Sequence, residues 1–209
     1  MSVFDQSIRQ FLADAASSAP TPGGGSVAAL AAALGAAMSA MVANVSKRRA
    51  PDDTVQTLDD LVARMNEAIT SFERILNADS VAFDTYMNAL RLPKQTAAEK
   101  AARTAALQAA MASATEVPIE LAQACLDALK ASRGSLPLAT PFILSDLGLA
   151  VLLLETAGQS ALLTAAGNLA SLTDESIRVQ VRERIDSLAQ SLASTKAEMM
   201  NALRARMEL

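Results

Sequence analysis

Asp79 occupies a position that its neighbours reserve for apolar side chains. Leu58, Val62, Met65, Ile69, Phe72 and Leu76 step by four and three, and the same step continues to Asp79, Phe83, Tyr86 and Leu90. The spacing predicts one long helix from about Asp53 to Leu90 with a seam facing a core. A carboxylate on such a seam must find donors, hold a proton or line a wet pocket. Asp84 falls off the seam and reads as solvated. The chain has no histidine. Proton transfer near neutral pH therefore falls to a carboxylate, lysine, tyrosine, cysteine or bound water with its pKa displaced by the site. Asp79 is the first candidate for that work, and a purely structural buried hydrogen bond is the alternative.

Asp146 is the second acid of interest. From Phe142 to Ala170 the sequence is nearly all apolar, with Asp146 and Glu155 its only charges. Ser145-Asp146 suits a helix N-terminus, where a hydroxyl caps free N–H groups and the dipole favours an acid. In so apolar a neighbourhood Asp146 also suits a ligand-facing carboxylate. Lys47, Arg48 and Arg49 end an uncharged stretch and fit either a charged helix end or an anion-binding rim. Lys94 lies in the break Arg91-Leu92-Pro93-Lys94-Gln95, within reach of a ligand or simply exposed. Asn168 can bond a polar ligand or close a helix. Cys125, the single cysteine, sits in an apolar helical pattern and reads as packing.

These residues must be positioned by helices, and one stretch organises the rest. Pro20-Thr21-Pro22-Gly23-Gly24-Gly25-Ser26 opens a segment running to about Ser46 that carries no charge. Read at helical spacing, none of its rows is polar, so it has no face for water and belongs at the centre of a bundle. Ser26 is its expected N-cap. About 20 uncharged residues would also span a bilayer. Most are alanine, however, and the other candidate span, Pro137 to Leu154, is interrupted by Asp146; a core helix without a membrane is the reading. Around it the sequence predicts a short amphipathic helix over about Val3–Ala15, with Phe4, Ile8, Phe11 and Leu12 on one side. A further helix opens on the capping box Thr96-Ala97-Ala98-Glu99, with Pro118 set to kink or split it. A loop over Ala131–Pro141 follows. The last helix starts at Thr173-Asp174-Glu175 and runs to about Met207, with Ile177, Val181, Ile185, Leu188 and Leu192 as its packing face.

With 209 residues, 3% aromatics and no tryptophan, one all-α domain over 1–209, a multihelical bundle around the buried alanine-rich helix, is expected. A formal charge of −4 argues against nucleic-acid binding, which needs a basic stripe. Phosphate-loop, dinucleotide, metal-ligand and nucleophile-elbow patterns are missing, so no metal site is expected. Met1-Ser2-Val3-Phe4-Asp5 lacks the basic and apolar regions of a signal peptide, and a cytoplasmic setting is the expectation.

Several segments, in order, carry a resemblance. They are Ser18 through Ser26 with the alanine-rich helix, Asp79-Ser80-Val81-Ala82-Phe83, Leu92-Pro93-Lys94, Glu99 through Arg103 with Gln108, Ala114 through Pro118, Ser145-Asp146 and Asn168-Leu169. Together they resemble the cyclodeaminase/cyclohydrolase family: the C-terminal domain of formiminotransferase-cyclodeaminase and the stand-alone methenyltetrahydrofolate cyclohydrolases. The resemblance implies a helical homodimer or larger assembly acting on one-carbon tetrahydrofolates, with the folate as substrate and no separate cofactor. Hydrolysis of 5,10-methenyltetrahydrofolate to 10-formyltetrahydrofolate is the expected reaction, favoured over the cyclodeaminase because no formiminotransferase domain is attached. By the match, Asp79 and Asp146 would serve acid–base and cation-stabilising roles. Gly24, Gly25 and Ser26 would contribute to the substrate site. Lys94, with Lys47 and Arg48, would hold the glutamate tail, and Asn44, Gln108 and Asn168 would bond the pterin or reacting carbon. The chain departs from the family pattern at Arg48-Arg49-Ala50-Pro51, at Gly134-Ser135-Leu136-Pro137 and at Thr164, where the pattern has asparagine. Those departures leave a non-folate or inactive helical dimer of the same fold, acting as a binding or assembly module, as the alternative.

Overall fold

The structure is a computed structural model and describes residues 3–208. A 3-10 turn, Val3–Asp5, leads into α1 (Ile8–Ala15), followed by α2 (Gly24–Lys47), α3 (Asp52–Leu90), α4 (Ala97–Ser132), α5 (Leu144–Leu169) and α6 (Glu175–Met207). Short 3-10 turns at Arg133–Ser135 and Pro141–Ile143 join α4 to α5, and the described residues contain no strand. The all-helical expectation holds.

Neighbours in sequence are antiparallel neighbours in space. Lys47 pairs with Asp59 at one end of α2, while Gly25 lies against Asp79 at the other. Arg74 of α3 meets Glu120 of α4, and Asn168 of α5 meets Ala114 of α4. Helices α2 to α5 thus close an up-down-up-down ring, and α6 lies along α4 and α5. Gly35 marks how closely α2 and α5 approach: a Cβ there would fall 2.9 Å from Leu154 Cγ. Across the ring the buried hydroxyls of Ser39 and Ser132 bond to each other at 2.8 Å, joining α2 to α4.

Capping chemistry places three of the helix starts. Thr96 and Glu99 form the expected capping box of α4, Asp174 accepts from the N–H groups of Ser176 and Ile177 at α6, and Ser7 caps α1. The starts of α2 and α5 differ from the sequence reading. Gly23, not Ser26, is the N-cap of α2, and Ser26 lies in the first turn. Helix α5 begins at Leu144 with Ile143 as N-cap, so Ser145 and Asp146 also lie in a first turn and cap nothing. Of the expected α1 face, Phe11 is buried, whereas Ile8 is 79% and Leu12 61% exposed. Ile177 of α6 is exposed as well.

Two further differences bear on the site. Helix α2 is buried against α3 and α5, but its outward row of Val27, Leu34 and Ala37 is uncovered. Uniform hydrophobicity requires cover on every side without saying that one chain supplies it. Secondly, Pro118 neither splits nor ends α4, which runs through it from Ala97 to Ser132. Proline cannot donate to the carbonyl four residues back, here that of Ala114. Asn168 of α5 fills the vacancy, its Nδ2 donating to the Ala114 oxygen at 2.9 Å. A carbonyl orphaned by one helix is therefore satisfied by the amide of its neighbour, which also locks the two helices in register.

That substitution of donors predicts a coupling. Asn168→Ala costs about 1 kcal/mol in the native chain, the worth of a hydrogen bond. In a Pro118→Ala background, which restores the backbone donor, it costs close to nothing. Urea denaturation of the four proteins measures the cycle; additive effects would show that Asn168 does not serve the Ala114 carbonyl.

Candidate active site

A cavity of about 320 Å³ lies at the end of the bundle where α2 begins. Its walls come from the Pro20–Gly25 entry to α2, from Asp79, Ala82, Phe83 and Tyr86 of α3, Met111 and Ala114 of α4, and Thr164 and Asn168 of α5. Asp79 reaches it because the seam step holds along the unbroken α3. The carboxylate is packed against the backbone of α2. A Cβ built on Gly25 would fall 2.7 Å from Asp79 Oδ2 and 2.8 Å from Oδ1, so position 25 admits no side chain while Asp79 stays in place.

Nothing at this end of α2 has been spent on capping. Gly23 has no side chain to offer, and the first-turn N–H groups of α2 have no side-chain acceptor. Ser26 is buried, and its Oγ has no partner among the described residues. The start of α2 therefore turns unused donors and a positive dipole end toward the cavity. Asp79 forms no hydrogen bond among the described residues, and burial pushes its carboxyl above the ordinary aspartate value of 3.8. An acid whose pKa is raised by desolvation, half-buried and facing a hollow, is placed to take up a proton in one step and release it in the next. Phe83 and Tyr86 give the cavity flat apolar faces, and Thr164 adds a hydroxyl.

The cavity gathers Gly24, Gly25, Asp79 and Asn168, with Ser26 immediately behind them. It does not gather the rest. Asn44 and Lys47 end α2, and Lys47 is held by Asp59 at 2.6 Å. Asp146 opens α5, which is antiparallel to α2; 18 residues at 1.5 Å each separate it from Thr164, roughly 27 Å along the helix. Lys94 is exposed in the α3–α4 connection. Gln108 ties α4 to the α5–α6 connection, its Nε2 donating to the Ser171 carbonyl and its Oε1 accepting from Thr173 N and Oγ1. Cys125 is buried, and burial drives its thiol far above the ordinary range, so it is packing and not a nucleophile. Tyr86 and Thr164 are site residues that the sequence reading did not select. Both were signalled by spacing, Tyr86 seven residues beyond Asp79 on the same seam and Thr164 one turn before Asn168.

A larger groove of about 850 Å³ runs between α3, α4 and α6. Its walls carry Glu116, Glu120, Asp127 and Glu183, and its arginine, Arg184, is engaged by both oxygens of Glu116. Its charges are mostly paired at the surface, Glu120 with Arg74 and Glu116 with Arg184.

A family profile described as formiminotransferase-cyclodeaminase matches residues 7–187. The chain belongs to the formiminotransferase-cyclodeaminase family. It is 35% identical to the formimidoyltransferase-cyclodeaminase of Rattus norvegicus over 99% of its own length and 38% of that protein's, so it spans well under half of that relative. It is 36% identical to the methenyltetrahydrofolate cyclohydrolase of Methylorubrum extorquens over 92% of both chains. The formiminotetrahydrofolate cyclodeaminase structure from Thermotoga maritima superposes with a TM-score of 0.84, covering 99% of this chain and 98% of that one at 23% identity, which shows the shared fold. The formiminotransferase-cyclodeaminase scaffold is thus present over nearly the whole chain, with Asp79 in its end cavity.

The raised carboxyl of Asp79 makes its ionisation unfavourable to folding. Native protein binds the proton more tightly than unfolded chain, so this contribution is present below the unfolded pKa and is lost as pH rises through the folded value. Asp79→Asn, which keeps the shape and removes the titration, is expected to melt higher than the native protein at pH 7.5. The gain should vanish at pH 3.5. Thermal melts by circular dichroism check it, and a variant less stable at pH 7.5 would refute the sign.

Proposed function

We propose that the chain hydrolyses 5,10-methenyltetrahydrofolate to 10-formyltetrahydrofolate. The observation that carries the reading is Asp79, unbonded, desolvated and facing a cavity lined by aromatic rings and by the uncapped start of α2. End-to-end similarity to a protein named methenyltetrahydrofolate cyclohydrolase supports the choice of reaction. A volume of about 320 Å³ suits a fused bicyclic ring and its reacting carbon, with the tail outside. Phe83 and Tyr86 would stack on the ring.

The chemistry asks little more than a base and a dry wall. Water adds to the amidinium carbon, and its departing proton goes to the Asp79 carboxylate. A neutral tetrahedral adduct results. Asp79 then returns the proton to N5 as the bond from N5 to carbon breaks, and the hydroxyl proton leaves to solvent as the formyl group forms on N10. General acid–base transfer of this kind is worth about 10² to 10⁴ in rate. The cyclodeaminase reaction, in which N10 attacks a formimino carbon and ammonia leaves, uses the same acid; similarity to the rat formimidoyltransferase-cyclodeaminase supports it as the second reading. A cytoplasmic homodimer is the proposed working form.

Purified protein is expected to accelerate loss of the methenyltetrahydrofolate absorbance over the buffer rate between pH 6 and 8. Asp79→Asn should lower kcat by about 100-fold or more. Gly25→Ala, which forces the carboxylate aside, should cost up to about 100-fold while leaving the fold intact by circular dichroism. Ammonia release from 5-formiminotetrahydrofolate, without methenyltetrahydrofolate hydrolysis, would move the assignment to the cyclodeaminase. Absence of both would overturn the folate reading.

A further inference from the structure

Helix α5 gives the Asp79 cavity two polar side chains, Thr164 and Asn168, one turn apart on the same face. Thr164 turns its hydroxyl proton back on its own helix. Its Oγ1 donates to the Ser160 carbonyl at 3.3 Å, which leaves oxygen lone pairs for the cavity. Asn168 Nδ2 donates to the Ala114 carbonyl at 2.9 Å, and Oδ1 at the other end of the amide has no partner among the described residues. A free asparagine amide turns over and presents either a donor or an acceptor. This one is held. Turned over, it would set oxygen against oxygen at Ala114 and leave without a donor the carbonyl that Pro118 has orphaned. Pro118 is not among the residues that line the cavity, so any influence it has there passes through that amide.

The α5 wall is therefore an acceptor edge. The start of α2, the backbone wall of the same cavity, offers N–H groups that no side chain caps, a donor edge. Phe83 and Tyr86 supply apolar faces. A flat ring that satisfies both polar walls carries N–H donors along one edge and a carbonyl oxygen on another. A 2-amino-4-oxo pyrimidine fused into a bicycle has that pattern: its exocyclic amino group and ring N–H are neighbouring donors, and its 4-oxo group accepts. In the 2,4-dioxo ring an oxygen replaces the amino group, and lone pairs would meet lone pairs at α5.

Resting on the function proposed above, we propose that Asn168 Oδ1 and Thr164 Oγ1 read the amino edge of the pterin ring, and that Pro118 is the positioning residue that fixes the sign of that reading. Asn168 then serves two partners, one at each end of its amide. The nitrogen closes the gap in α4, and the oxygen meets the ligand. A site built to accept N–H groups rejects a ring that lacks them, because its acceptors are left unpaired. Pro118→Ala supplies the missing backbone donor, releases the amide and removes the preference without touching the ring.

Isothermal titration calorimetry with 6-carboxypterin and 6-carboxylumazine tests the edge. Native protein is expected to bind the pterin at least about tenfold more tightly. Asn168→Ala and Thr164→Val should each lower that ratio several-fold, and Thr164→Ser, which keeps the hydroxyl, should preserve it. Pro118→Ala should lower the ratio as Asn168→Ala does, with helix content by circular dichroism unreduced, and adding Asn168→Ala to it should change little more. Equal binding of the two rings, binding of neither, or a preference that survives Asn168→Ala overturns the acceptor edge. A preference unmoved by Pro118→Ala overturns the positioning role and leaves the proline a matter of helix packing alone. Pterin preference without turnover of any folate would place the failure in the proposed function. Turnover without ring preference would place it here.

Discussion

The contact between the Asp79 carboxylate and the backbone of Gly25 is the constraint on which the site depends. Van der Waals exclusion enforces it: no β-carbon fits at position 25 beside the acid. The exclusion explains the glycine at position 25, in the first turn of α2; the N-cap, Gly23, offers no side chain either. A serine or aspartate at the N-cap would satisfy the free N–H groups. Glycine leaves them facing the cavity and lets α3 bring its acid to within contact. The stability forgone at the start of α2 is thereby available to a ligand.

Close approach also governs the scaffold. Alanine and glycine on α2 allow α3 and α5 to lie near enough that a side chain from each reaches one small cavity. Antiparallel closure of the ring then decides which residues can meet. It brings the start of α2 to the end of α5, and so Asp79 to Asn168. The same closure sends Asn44 and Lys47 to the far end, beside the start of α5 where Asp146 stands. No rearrangement of loops within one chain undoes that separation, because both helices are continuous between the two clusters.

Much of this was legible in the sequence, and unevenly so. Period alone placed Asp79, because the four-and-three step continues through it over a helix of 39 residues. The same step held Tyr86, passed over because an aromatic on a seam reads as core until a hollow is seen beside it. The capping box at Thr96 was explicit. Of the two readings of Pro118, a kink or a split, the structure excludes the split, and the need for a substitute donor to Ala114 was implicit in the proline; which side chain supplies it depends on register between helices some fifty residues apart. Asp146 and Lys94 were singled out by their local surroundings and Gln108 by family resemblance, none of which said at which end of the bundle each would lie. Hydropathy could not divide the surface of α2 between what its own chain covers and what it leaves open.

A fold without histidine can still move protons if the substrate changes the acid's environment during the reaction. In the cavity burial favours the protonated form of Asp79, since desolvation raises its pKa above the ordinary value. On the proposed chemistry the incoming amidinium brings a positive charge against the carboxylate, which lowers its pKa and produces the base when water must be deprotonated. Addition of water neutralises that charge. The acid is then again a carboxyl in an apolar hollow, its pKa rises, and it becomes the donor that N5 requires. One aspartate serves as base and then as acid because the charge that tunes it belongs to the substrate. Such a site needs low dielectric more than it needs further titratable groups, and the uncharged walls of α2 and α5 provide it.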